Sequence, residues 1–120
     1  MQVLCHHIYE YQKGLRNMVL HTMKGENREA AEKKLKHYDV DYLVTELNNG
    51  NINIFFGKKE CVDVVRSFGN KKLNELTAEQ DFILGIMLSY DRLAQCERLL
   101  KRSKKKNIEK QLIRPCDEAA

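Results

Sequence analysis

Two alternating runs joined by Asn49-Gly50 set the strongest limit on what this chain can fold into. Val40 to Leu47 alternates as a strand, and Ile52, Ile54 and Phe56 alternate with Asn53 and Phe55. The segment between them, Asn48-Asn49-Gly50-Asn51, is a hairpin signal, because Asn and Gly tolerate positive φ at little cost. An antiparallel pair is therefore expected over residues 40–57. A lone hairpin is marginal in water, so it needs a third strand and a cover.

The rest of the chain supplies both. Residues 15–23 read as a strand, with Met18, Leu20 and Thr22 on one face and Val19, His21 and Met23 on the other. Residues 26–37 read as a helix carrying Ala31, Leu35 and Tyr38 on one side. In residues 58–68, Cys61, Val64, Val65 and Phe68 keep helical spacing, and Gly69 closes the segment. Residues 3–13 place Leu4, Ile8 and Tyr11 at helical spacing ahead of Gly14, although Ile8, Tyr9 and Tyr11 also suit a strand. Thr77-Ala78-Glu79-Gln80 matches a capping box. Phe82 to Tyr90 is apolar on nearly every side, and Leu93, Cys96, Leu99 and Leu100 continue a narrower stripe. One helix over 77–104 is expected, roughly 40 Å long at 1.5 Å per residue.

These elements define an α+β fold. Its core is a three-stranded antiparallel-type sheet in a βαββα order, a ferredoxin-like unit lacking its fourth strand, with helices on one face and a long C-terminal helix. A right-handed crossover places strand 51–57 between 15–23 and 41–47, and leaves 15–23 at an edge. The 120 residues suit a single α+β domain over 1–102, followed by a basic tail over 103–120.

Charge isolates that tail. Residues 1–100 hold equal numbers of basic and acidic side chains, so the net +4 lies in residues 101–120. Lys101, Arg102, Lys104, Lys105 and Lys106 form the densest part and are the candidate partner-binding residues, suited to an acidic surface. The same cations also suit a solvated helix end. Nucleic acid is disfavoured, because no Lys or Arg interleaves with Tyr42, Phe55 and Phe56 on the strands. No apolar run reaches the roughly 18 residues of a membrane span. The first residues lack a basic, long apolar leader, so a cytoplasmic location is expected.

Cys5, Cys61, Cys96 and Cys116 form no C-x-x-C pair, and free thiols are expected. Cys61 and Cys96 fall on apolar helix faces as small hydrophobes. Cys5-His6-His7 holds the right atoms for a borderline metal, with Cys5, His7 and His21 as the candidate ligands. Neighbouring helix residues cannot all face one ion, so packing or surface roles weigh more heavily. A small-ligand cleft is the other candidate, built from His6, His7, Tyr9, Tyr90, Asp91 and Arg92 if the two segments meet. Gly57-Lys58-Lys59 lacks the rest of a phosphate-loop pattern and reads as a solvated turn. No catalytic constellation stands out, and no cofactor is expected beyond that candidate metal.

Cys5-His-His-Ile-Tyr-Glu10, Asp81-Phe-Ile-Leu-Gly85 and Tyr90-Asp-Arg-Leu-Ala-Gln-Cys-Glu-Arg98 resemble a small bacterial family of domains of unknown function. The resemblance covers most of residues 1–100 and carries over no activity or catalytic residue. It points to an acidic protein partner of the flavodoxin kind. The expected function is a non-enzymatic regulatory or accessory module acting by protein association, with a small-ligand or metal-binding protein as the alternative. A homodimer is expected, because the open strand and the long apolar helix both need cover.

Overall fold

A computed structural model describes residues 1–88 and 91–110, with side chains through residue 104. The chain divides into two compact units, Met1–Asn70 and a second beginning at Lys71.

The first unit carries α1 (Gln2–Gln12), β1 (Met18–Lys24), α2 (Arg28–His37), β2 (Asp41–Glu46), β3 (Asn51–Gly57) and α3 (Lys59–Ser67). Residues 3–13 settle as helix. Gly14, at φ +78°, ends it: its N–H donates to the Tyr11 carbonyl and the Leu15 N–H reaches back to Glu10. That pair of bonds is a Schellman closure, which favours glycine at the left-handed residue.

The sheet is open, antiparallel and ordered β1-β3-β2, so β3 lies in the centre as the crossover argument requires. The hairpin forms, but with a longer connection than a two-residue turn. Leu47 donates to the Asn51 carbonyl, and Gly50 alone in the loop takes a positive φ, +85°. Asn49 instead turns its side-chain oxygen onto the Asn51 N–H at 3.0 Å.

One sheet face carries the core. Val19, Ile52, Ile54 and Phe56 meet Leu4 and Ile8 of α1 and Ala31 and Leu35 of α2, with Tyr42 and Val44 at its margin. Burial is not confined to that face, because Met18, Asn53 and Phe55 on the other are also buried. Asn53 is the buried polar residue of the central strand, and Thr22, its neighbour in register, donates a 2.6 Å hydrogen bond to its side-chain carbonyl. A satisfied amide is tolerated there, whereas an unsatisfied one costs about 1–3 kcal/mol.

Three local expectations shift. Tyr38 is exposed instead of lying beside Ala31 and Leu35, since it falls at the cap of α2, where the chain turns away. On α3, Val62 and Val65 are the buried residues and Cys61 is half-buried, so the buried stripe is rotated by one residue. The third change is in the second unit. In place of one helix over 77–104 there are two, α4 (Ala78–Leu88) and α5 (Arg92–Lys110). Asp91 accepts a 2.9 Å hydrogen bond from the Ala94 N–H and so serves as the N-cap of a new helix. The two helices pack as an antiparallel hairpin in which Gly85 faces Gln95. The 40 Å rod is thus folded back on itself, and α5 continues past the expected end near Lys104. Among the described residues, no helix is long and apolar enough to cross a membrane.

Candidate functional site

Helical spacing puts His6, His7 and Glu10 on neighbouring positions of α1, and the loop after the helix brings up Arg16. The Glu10 carboxylate lies 3.4 Å from His7 Nδ1, 3.7 Å from His6 Nε2 and 3.7 Å from the Arg16 guanidinium. His7 also stands edge-on to His21 of β1, their ring centroids 5.5 Å apart. Two imidazoles and one guanidinium therefore gather around one carboxylate, and a third imidazole, His21, stands behind His7. Burial holds the His21 pKa below the ordinary histidine value, and the nearby His7 and N-terminal amine push the same way.

The candidate ligands do not assemble as one group. His7 and His21 meet, but the Cys5 thiol accepts a 3.3 Å hydrogen bond from Lys34 of α2. Among the described residues, no three His, Cys, Asp or Glu side chains are placed to hold a metal ion. Tyr9 is exposed on α1, and the Lys13 ammonium lies 5.4 Å from the centre of its ring. Of the proposed cleft, His6, His7 and Tyr9 belong to the first unit, and Asp91 and Arg92 to the second. Tyr90 lies outside the described residues, as do Cys116 and the side chains of Lys105 and Lys106.

A second polar network ties α2 to β2 and has no signal in the sequence. Tyr42 donates to Glu32 at 2.6 Å, Arg28 Nε donates to the other oxygen at 2.8 Å, and Arg28 also lies 3.5 Å from Glu46. Glu32 is held below the usual carboxylate range, first by the Tyr42 hydrogen bond and then by Arg28. Burial and the Glu32 hydrogen bond push Tyr42 up to about 12. Arg66 of α3 reaches the Tyr42 backbone carbonyl at 3.3 Å. None of these groups is poised as a free nucleophile or base.

The second unit combines a polar clasp with uncovered apolar surface. Thr77 and Gln80 exchange the two bonds of the expected capping box, at 3.0 and 3.1 Å. Asp81 in the first turn of α4 accepts from Nε and Nη2 of Arg98, at 2.7 and 3.2 Å, and lies 3.2 Å from Arg102. Arg102 also donates to the Leu76 carbonyl. Asp81 is held below the usual carboxylate range by the Arg98 hydrogen bond above all. Arg102, expected on a partner-facing tail, is thus committed to this clasp, while Lys101 and Lys104 are exposed. Leu93 and Leu100 are 69% and 67% exposed on α5, and Ile83 of α4 is 40% exposed. Cys96 is exposed between the two leucines, so it is not the packed hydrophobe its stripe implied. Once the helix is broken and folded back, Gln95, Arg98 and Arg102 face α4, which leaves the leucine stripe uncovered. Cys61, by contrast, has its thiol pKa raised, by burial first and Glu60 second, which opposes thiolate chemistry.

The molecule is therefore an α+β domain joined to a helical hairpin, with half-buried and surface charge clasps. A family model described as "Protein of unknown function (DUF2023)" matches residues 2–102, and the chain belongs to that family. No curated protein matches the chain.

Proposed function

We propose that this protein is a non-enzymatic accessory or regulatory module that works by protein association, with the α4–α5 hairpin as its docking element. One observation carries the reading. Leu93 and Leu100 lie two turns apart on one side of α5 and keep about two thirds of their surface in water. Aligned leucines left open in this way are a typical helix-docking pattern.

The charges beside them fit an acidic partner. Lys101 and Lys104 are exposed next to Leu100, and the basic excess of the chain continues beyond them. Arg102 contributes less, because its guanidinium is held against Asp81 and the Leu76 carbonyl. An acidic protein of the flavodoxin kind is the partner class to which the family resemblance points.

The test is titration calorimetry of the full chain against a purified flavodoxin at low and high salt. Saturable binding that weakens with salt, and at least about tenfold with Leu93→Ser and Leu100→Ser together, supports the reading. The variant's helical circular dichroism should be unchanged, because both side chains are already exposed. No binding at low salt, or equal binding by variant and parent, overturns it.

A further inference from the structure

The two outer strands of the sheet are not equivalent at their free edges. In an antiparallel pair, alternate residues direct their N–H and C=O groups to the partner strand and the others direct theirs away. Two bonds fix the phase for β1: Lys58 donates to the Asn17 carbonyl, and Gly25 donates to the Gly50 carbonyl. Val19, His21 and Met23 therefore bond to β3, and Leu20, Thr22 and Lys24 turn their main-chain groups outward. No hydrogen bond among the described residues reaches those outward groups.

For β2, the bond from Leu47 to Asn51 sets the opposite parity, so Tyr42, Val44 and Glu46 face outward. That edge is guarded. The Arg66 guanidinium occupies the Tyr42 carbonyl at 3.3 Å, and Arg28 holds the Glu46 side chain. β1 has no such guard. Met-Val-Leu-His-Thr-Met-Lys24 contains no proline, has an unbroken register with β3, and bears its one Lys at the far end. Proline, a bulge or a lysine along the strand are the features that edge strands usually acquire to prevent pairing, and β1 lacks them until Lys24.

We propose that the outer edge of β1 pairs antiparallel with β1 of a second copy of this chain, so that two sheets join into one of six strands. A two-fold axis through the edge turns a strand antiparallel to itself, which makes its donor and acceptor pattern self-complementary. A register centred on Thr22 fits the side chains. It sets Thr22 opposite Thr22, a favourable cross-strand pair, and sets Leu20 opposite Lys24, whose methylene stem covers the half-buried leucine. It places no like charges opposite each other. A register shifted to Leu20 sets Lys24 against Arg16, which repels. The Thr22 register forms about six new main-chain hydrogen bonds.

This pairing is independent of the hairpin docking proposed above, and its test leaves Leu93 and Leu100 untouched. Two variants at Thr22 separate the main chain from the side chain. Thr22→Val removes the hydroxyl that bonds Asn53 but keeps the outward N–H. Thr22→Pro removes both, and proline is tolerated where a strand's N–H faces away from its sheet. Light scattering should give the parent and Thr22→Val about twice the 14.1 kDa chain mass, and Thr22→Pro the single mass. Amide exchange on the parent provides a measurement that does not depend on Thr22→Pro folding. The Leu20, Thr22 and Lys24 amides should be protected at high concentration and lose that protection on dilution. A parent that is monomeric throughout, a Thr22→Pro protein that stays dimeric, or outward amides that exchange freely in a dimer would overturn the proposal.

Discussion

The phenol of Tyr42 on β2 donates a 2.6 Å hydrogen bond to the Glu32 carboxylate on α2, and so fastens the sheet margin to the helix that covers it. Each partner changes the other's titration. Glu32 is depressed below its ordinary value, so the stability it lends is present above the usual carboxylate range and is lost as pH falls through its folded-state pKa. Tyr42 is raised from 10 to about 12, so its contribution is present below pH 10 and is lost as pH climbs toward 12. Tyr42→Phe should cost about 1–2 kcal/mol at neutral pH, the worth of a hydrogen bond to a charged group at a half-buried site. It should also flatten the alkaline fall in stability between pH 10 and 12. Chemical denaturation of parent and variant across that range checks both. An unchanged alkaline limb would show that the bond does not persist in solution.

Gly57 and Gly14 both take positive φ, yet their substitutions should differ. At Gly57 (φ +148°), an added Cβ would run into the Asn17 carbonyl and lie 2.8 Å from Met18 Cα, all of it backbone where the chain enters β1. At Gly14 (φ +78°) nothing lies within 4 Å. Gly14→Ala should cost about 1 kcal/mol for the left-handed backbone alone. Gly57→Ala adds a clash that only a shift of β1 from β3 relieves, and should cost about 3 kcal/mol. Comparable midpoints in urea for the two variants would contradict this account.

Asp39 is the one non-glycine described residue with a positive φ, at +55°. It stands where α2 ends: its N–H donates to Lys36, and the Val40 N–H reaches Leu35. This is the same closure that Gly14 provides for α1. Asp39→Gly should therefore stabilise the protein by about 0.5–1 kcal/mol, because glycine occupies that conformation without a Cβ penalty. Thermal melting at neutral pH measures the gain. A lower midpoint would mean that the Asp39 carboxylate contributes more than its backbone costs.

The parts of this fold visible in the sequence are those governed by short-range rules. Gly14 and Gly69 mark helix ends, Asn49-Gly50 marks the hairpin, and Thr77 to Gln80 marks a capped start. The position of β3 between β1 and β2 followed from handedness and hairpin pairing. What escaped was decided by competition between equally plausible local choices. Asp91 reads as a surface charge on a continuous helix and equally as the cap of a second helix, and only packing of α4 on α5 decides. Val62 and Val64 flank the same α3 stripe, and the sheet selects Val62. The Tyr42–Glu32 pair joins residues ten apart in two different elements, with no periodicity to announce it. Of the candidate site, neither the contact of His7 with His21 nor the attachment of Cys5 to Lys34 is legible in the sequence, because both depend on how α1 lies against β1 and α2.

The His7–His21 contact yields the last prediction. His21 belongs to the face of β1 that packs beneath α1, with its ring against His7. His7 in turn faces Glu10, which also holds His6 and Arg16. One carboxylate thus serves three cationic or protonatable groups other than His21. Burial, His7 and the N-terminal amine all lower the His21 pKa below 6.5 in the folded protein. A base depressed on folding contributes stability that is present above its unfolded value and is lost as pH falls through the folded one. Stability should therefore decline from about pH 6.5 downward, before the carboxylates titrate, by no more than about 1.4 kcal/mol per pH unit for one proton. His21→Gln keeps a polar side chain without a titrating ring, and should remove that part of the slope while leaving the steeper acid limb below it. Denaturation of both proteins at half-unit intervals from pH 7.5 to 4.5 gives the two curves, and parallel curves above pH 5 would exclude His21 as the source.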